Sequence, residues 1–232
     1  MAVDEALLQW AAARGGWCWR FYRWAEPTLS VGRFQRYEDR QQHPASLSCP
    51  AVRRASGGGA IVHDAEITYS LVVPAGHPLA VRRIALYGLV HGTLIDVLRS
   101  LGIAAELCRE GSSARGARQP FLCFQRRAPG DVLVGTAKVA GSAQRRRRGA
   151  VLQHGSLLLR RSAAAPELAG LGELAPSPTS EERLVHGWLD RLSESLDASW
   201  QIEPLKADER DLAGRLAETK YASAWWNLGR KQ

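Results

Sequence analysis

Apolar positions recur along this chain with two different periods, and the places where the period changes mark its elements. Residues 84–101 carry Leu86, Leu89, Val90, Leu94, Val97, Leu98 and Leu101 at helical spacing and stop at Gly102, which predicts a helix. Residues 2–14 give a second, amphipathic helix, with acids in its first turns. Residues 17–24 then alternate in part and are rich in aromatics, so they predict a strand, and Pro27 and Gly32 bracket a short strand at 28–31. Residues 36–50 are polar with two prolines and read as a short helix and a loop. Residues 51–54 form a strand entering Gly57, Gly58 and Gly59, and residues 60–63 and 67–73 are two more strands.

After the central helix the pattern shortens again. A strand is expected at 103–107, and then a mobile loop at 109–120, rich in Gly, Ser, Ala and Arg. Strands at 131–135, 138–144 and 149–159 follow, with the run Arg145 to Arg148 as a hairpin tip. Residues 162–180 are an Ala/Pro/Gly/Ser connection, helices lie near 180–197 and 207–219, and the tail carries Trp225 and Trp226. Strands with helices around them, and no regular alternation of the two, argue for an α+β fold. No repeat is visible, and 232 residues suit one large domain or two small ones.

Composition narrows the setting. With 45% apolar and 23% charged residues the chain reads as a globular protein, and no run approaches a membrane span. The acidic start does not resemble a signal peptide, so a cytoplasmic location is expected. Cys18, Cys49, Cys108 and Cys123 form no CxxC pair and no metal spacing with histidine, and free thiols are expected. The net charge of +8 is concentrated: residues 109–161 hold twelve basic residues against Glu110 and Asp131. Such a field favours an acidic partner. A nucleic-acid module is the remote reading, but the tryptophans lie mostly near the two ends, away from the basic stretch.

Lysine usage then singles out one residue. The chain has 27 arginines and 4 lysines, and Lys138 is the only lysine before residue 206. It stands among small and apolar neighbours, in Ala137-Lys138-Val139-Ala140-Gly141-Ser142-Ala143-Gln144. A lysine can give up its proton and an arginine cannot, so Lys138 is a candidate acid–base group, with a snorkelling strand lysine as the plain alternative. Cys123, in Phe121-Leu122-Cys123-Phe124, precedes it by 15 residues and is a candidate nucleophile. Arg53-Arg54-Ala55-Ser56-Gly57-Gly58-Gly59 is either a backbone cradle for a ligand or a tight turn, and no P-loop lysine follows it. His63 and His154 are candidate bases or hydrogen-bonded structural histidines.

Read in order, Arg-Arg-x-Ser-Gly-Gly-Gly-x-x-Val-His-Asp, Thr-Tyr-Ser, Lys-Val-Ala-Gly-Ser-Ala-Gln and Leu-Gln-His-Gly-Ser resemble the lipoate–protein ligase A / octanoyltransferase superfamily. Biotin protein ligases share its catalytic domain, but their Gly-Arg-Gly-Arg signature is absent here. The resemblance runs nearly end to end, from the opening helix to Thr219-Lys220-Tyr221 and Trp226. It implies a single catalytic domain over 1–232, with mixed sheets flanked by helices and no accessory domain of the ligase kind. Cys123-Phe124 falls where octanoyl-[acyl-carrier-protein]:protein N-octanoyltransferases of one kind place their cysteine.

The resemblance therefore implies a catalytic pair, Cys123 and Lys138, with Arg54, Ser56, Gly57, Gly58, Gly59, His63, Gly141, Ser142, His154 and Gly155 around the substrate. It implies acyl carrier protein as donor and a lipoyl domain or glycine-cleavage H protein as acceptor. No cofactor is needed on this reading, and a monomer is the default. The alternatives are an ATP-dependent lipoate–protein ligase and a lipoyl or octanoyl amidotransferase.

Overall fold

The structure, a computed structural model, describes residues 1–111, 119–175 and 180–229. Helix α1 (Ala2–Arg14) leads into β1 (Cys18–Tyr22), β2 (Thr28–Val31), β3 (Ala51–Arg53), β4 (Ile61–His63) and β5 (Glu66–Val73). Helices α2 (Pro78–Val81) and α3 (Arg83–Ser100) follow, then β6 (Ala105–Leu107), β7 (Val132–Val134), β8 (Ala137–Arg147) and β9 (Ala150–Leu158). The chain continues through α4 (Leu171–Leu174), α5 (Glu181–Leu196), α6 (Ala207–Leu216), a π-helical turn at Ala217–Tyr221 and α7 (Ala224–Leu228). The α+β class expected from the sequence is the one observed. Most of the expected 109–120 loop, including Arg115 and Arg118, lies outside the described residues, as does 176–179 of the later connection.

Two sheets divide the strands. The larger has the order β1-β5-β9-β8-β7-β6 with every pair antiparallel, and the smaller has the order β3-β2-β4 with β2 and β3 parallel. Strands β5 and β9 are buried along their whole length, because both faces of the large sheet are covered. On one face Ile67, Leu71, Val151 and Leu157 join Leu86, Leu94 and Trp188 of α3 and α5 in the main core. On the other, Val72 and Leu152 pack against Leu7, Leu8 and Ala11 of α1. Further along that second face, registers place Thr68, Ser156 and Gly141 side by side, and Ser70, His154 and Ala143 beside them. A face that is apolar under α1 thus turns small and polar where the small sheet approaches.

The arginine run departs from expectation. Arg145, Arg146 and Arg147 are in β8, paired with Leu152, Val151 and Ala150, and only Arg148 and Gly149 make the turn. Both turn residues have positive φ, 44° and 86°, as a two-residue hairpin with right-twisted strands requires. Strand β7 pairs with β8 only as far as Ala140, so the stretch beyond is a sheet edge. Charged side chains there discourage pairing with a foreign strand, which accounts for arginines in a strand.

The C-terminal elements brace the site from behind. Lys220 Nζ and Tyr221 OH each lie 2.6 Å from Glu5 of α1, and Trp226 Nε1 donates to the Arg53 carbonyl at 2.7 Å. That bond fixes the end of β3, from which the glycine loop departs.

Candidate active site

Lys138 reaches its position through a break in strand register. Val132 pairs with Ala140 and Leu133 with Lys138, so Val139 is an extra residue on β8, a β-bulge. In a regular strand Lys138 would share the face of Ala140 and Ser142; the bulge moves it onto that of Gly141. Its methylene chain then runs across Gly141, where a Cβ would lie 2.5 Å from Lys138 Cε and 2.8 Å from Nζ. Glycine is needed here for space. Gly141→Ala is expected to displace the lysine and lower turnover by about 10²-fold while leaving the fold intact, checked by steady-state rates beside a thermal melt.

The ammonium of Lys138 is buried and paired. Asp131 Oδ2 lies 2.8 Å from Nζ, with the two side chains 9% and 3% exposed. Asp131 Oδ2 is itself fixed by the Ala128 N–H at 2.7 Å. Nζ also sits 3.6 Å from Cys123 Sγ and 3.5 Å from the Cys123 carbonyl, and 5.3 Å from the centre of the Phe124 ring. The two residues 15 apart in sequence are thus in contact.

Cys123 opens a 3-10 turn, Cys123–Gln125, and is tied to the small sheet rather than the large one. Ala60, just before β4, bridges Leu122 in parallel; its N–H donates to the Phe121 carbonyl at 2.9 Å, and the Cys123 N–H donates to the Ala60 carbonyl at 2.7 Å. Gly59 permits this approach, since a Cβ there would come within 3.0 Å of Cys123 N and 2.8 Å of Arg126 Nη2. Cys123 is partly exposed, whereas Cys49 and Cys108 are buried, and burial pushes the Cys49 thiol up. Cys18 is also partly exposed, but burial raises its thiol to about 11. All four cysteines are free.

The cleft above Cys123 encloses about 460 Å³, including its open mouth, and its lining includes Gly57, Gly58, Ile61, Phe124, Gly141 and Ala143. Arg54, His63, Ser142, His154 and Gly155 also border it. Among the described residues no set of three or more His, Cys, Asp or Glu side chains is grouped to hold a metal.

Of the remaining expected residues, Arg54, His63 and His154 reach this cleft while Ser56 and Gly59 are not in its lining, and most of their polar groups are already engaged. Arg54 is fully buried and gives its hydrogen bonds to the carbonyls of Ser30, Gly57 and Gly59. Burial lowers its guanidinium to about 10, so it stays charged and acts as a clamp inside the glycine loop. Ser56 lies behind the cleft wall, 2.5 Å from His154 Nε2. His63 is held between Glu66 Oε1 at 2.6 Å and Ser30 Oγ at 2.8 Å, under the Trp24 ring. His154 Nδ1 lies 3.7 Å from Asp4 Oδ2. Burial alone would raise the Asp4 carboxyl, but the amino terminus, His154 and Arg20 outweigh it and hold it well below the usual carboxylate range. Both ring nitrogens of each histidine thus have partners away from Cys123. A histidine base beside the thiol, open from the sequence, is replaced by the lysine.

Two residues escaped the sequence reading. Asp131 looked like any strand-initial acid. His91, inside α3, lies under Ser142: its Nδ1 donates to the Gly130 carbonyl at 2.5 Å, and its Nε2 accepts from Ser142 Oγ at 2.5 Å. Tyr69 OH also bonds Ser142 Oγ, and Tyr87 OH donates to the Ser142 carbonyl at 3.1 Å. A histidine in an apolar helix face carries no signal of such a role.

Burial lowers both His91 and His154 below the ordinary histidine value near 6.5, though Gly130 and Asp4 respectively pull the other way. The folded state therefore binds fewer protons than the unfolded one. The stabilisation is complete above about pH 6.5 and is lost as pH falls through the lowered values. Calorimetry should find a lower melting temperature at pH 5.5 than at pH 7.5, and His91→Gln should narrow the gap.

Residues 1–180 match the family described as lipoyl protein ligase A/B catalytic domain. The chain belongs to that family. Among full-length relatives, it is 35% identical to an octanoyltransferase LipM of Kyrpidia tusciae over 98% of this chain and 93% of the other. It is 32% identical to an octanoyltransferase LipM of Bacillus subtilis, over 99% and 93%. The fold matches a bipartite lipoate protein ligase from Thermoplasma acidophilum at a TM-score of 0.74, with 21% identity, 100% of this chain and 92% of that one covered. It also matches a lipoate-protein ligase A bound with ATP at a TM-score of 0.77, with 22% identity over 98% and 92%. This member of the lipoyl protein ligase A/B catalytic-domain family is an acyltransferase.

Proposed function

We propose that the protein moves an octanoyl group from the thioester of an acyl carrier protein to a lysine of a lipoyl domain or glycine-cleavage H protein, through a thioester on Cys123. The observation that carries this reading is the 3.6 Å contact between Cys123 Sγ and Lys138 Nζ at the cleft. The near-full-length octanoyltransferase relatives support the choice of acyl group.

In the first half-reaction the Cys123 sulfur, as thiolate, attacks the carbonyl carbon of the donor thioester. The new C–S bond forms, the carbon–sulfur bond to the carrier breaks, and the carrier leaves as a thiol after taking a proton from Lys138. The ammonium at Nζ stabilises negative charge on Sγ before attack. In the second half-reaction the acceptor amine attacks the enzyme thioester. Lys138 accepts a proton from the attacking nitrogen, the amide forms and the Cys123 thiolate is released. Asp131 keeps Nζ aimed at Sγ through both steps. Gly57, Gly58, Gly141 and Ser142 line the cleft in which the tetrahedral oxyanion would form.

Thioester to thioester is nearly isoenergetic and thioester to amide is downhill, so the cycle needs no ATP. The expected result is octanoyl amide on a lipoyl domain mixed with octanoyl-carrier protein and enzyme in a nucleotide-free buffer, read by intact mass. A product that forms only with ATP and free octanoate would overturn the reading in favour of a ligase.

A further inference from the structure

We propose that the junction of α2 and α3, residues 81–84, together with Arg146 of β8, is the docking surface for an acidic carrier protein that presents the acyl thioester. The inference rests on the carrier-protein donor reading above and names the surface that reading lacks. Val81 and Ile84 are 70% and 88% exposed, and Arg82 and Arg83 between them are exposed too. Large apolar side chains this open, rimmed by charge of one sign, mark an interaction surface.

The junction is seated against the arginine-bearing edge of the large sheet. Arg146 Nη2 donates to the Val81 carbonyl at 2.7 Å, and Gln144 Nε2 donates to the Arg83 carbonyl at 3.1 Å. The two segments that build this face bring no counter-charge of their own, since no acid occurs between Glu66 and Asp96 or between Asp131 and Glu167. An apolar pair set among Arg82, Arg83 and Arg146 suits a partner whose own apolar contacts are flanked by carboxylates.

The surface is also continuous with the chemistry. Tyr87, one helical turn beyond Arg83, donates to the carbonyl of Ser142, which borders the cleft. Burial pushes the Tyr87 hydroxyl up to about 12, Arg83 opposes the rise, and Asp131 and Cys123 add to it. One tyrosine therefore lies within electrostatic reach of both Arg83 and Cys123. A carrier held at residues 81–84 delivers its flexible arm along Ser142 to the sulfur.

The test uses Arg83→Glu and Ile84→Asp. Both lie in the first turn of α3, where an acid is favoured by the helix dipole, so the variants should fold. Acylation of Cys123 is followed with octanoyl-carrier protein and, separately, with octanoyl-pantetheine, which has no protein surface. The expected result is a rise of about tenfold or more in KM for the carrier donor, with rates from octanoyl-pantetheine unchanged and the carrier reaction alone weakened by salt. Equal losses with both donors would overturn the proposal, as would no loss with the carrier or a loss confined to transfer onto the acceptor. Carrier binding to Cys123→Ala, measured by calorimetry with and without the two substitutions, reads the surface independently of acylation. If the carrier binds this variant and the substitutions do not weaken it, the docking surface is elsewhere. If the surface binds carrier while wild-type Cys123 is never acylated, only the thioester mechanism fails.

Discussion

Incubated with an octanoyl thioester of a carrier protein, this protein gains about 126 Da on Cys123, and Cys123→Ala gains nothing. Turnover in that variant falls by about 10³-fold or more, as expected when a nucleophile is removed. The fold should tolerate the change. Cys123 is partly exposed, and its structural bonds are made by backbone: its N–H to the Ala60 carbonyl and its carbonyl toward Lys138. Alanine preserves both. Peptide mapping of the adduct also separates Cys123 from Cys18, whose raised thiol makes it a poor nucleophile at neutral pH. ATP-dependent acyl transfer that survives Cys123→Ala would sink the thioester route.

Lys138→Arg should lose about 10²- to 10⁴-fold in kcat, the usual range for an acid–base group, although it keeps the positive charge. A guanidinium does not take up and release a proton at neutral pH. Asp131 can still pair with it, so the variant should melt closer to wild type than Lys138→Ala does. Lys138→Ala leaves the buried carboxylate without its partner, a loss of about 3–5 kcal/mol. Comparing the two separates charge pairing, which governs stability, from proton transfer, which governs rate. An arginine variant that turns over within tenfold of wild type would exclude the proton-transfer role.

The elements with long, regular patterns were legible in the sequence: α1, α3, α5 and the strands β5 and β9 lie where periodicity placed them. Arg145 to Arg147 were misplaced because a run of charges looks the same in an exposed turn and on a free sheet edge. The short helix α4 and the π-helical turn at Ala217–Tyr221 left no periodic signal, being too short to show a face. Within the site, the sequence could put Cys123 and Lys138 on its list but could not bring them together. Their contact depends on one extra residue in β8 and on a parallel bridge between Ala60 and Leu122, neither of which has a composition signature. Asp131 and His91 stayed hidden for a related reason. His91 acts on Ser142, far along the chain, and Asp131 meets Lys138 only because of the bulge in the β7–β8 pairing, so the immediate neighbours of each say nothing about its partner.

Lys138 is built into the large sheet, while Cys123 hangs from the small one through Ala60. The reactive distance is therefore set at a joint, and neither sheet alone determines it. A relative shift of the two sheets would separate the pair without breaking the hydrogen bonds inside either sheet. What selection must hold constant here is an alignment between two bodies, and the residues that guard it, Gly59 and Gly141 among them, do so by occupying no space.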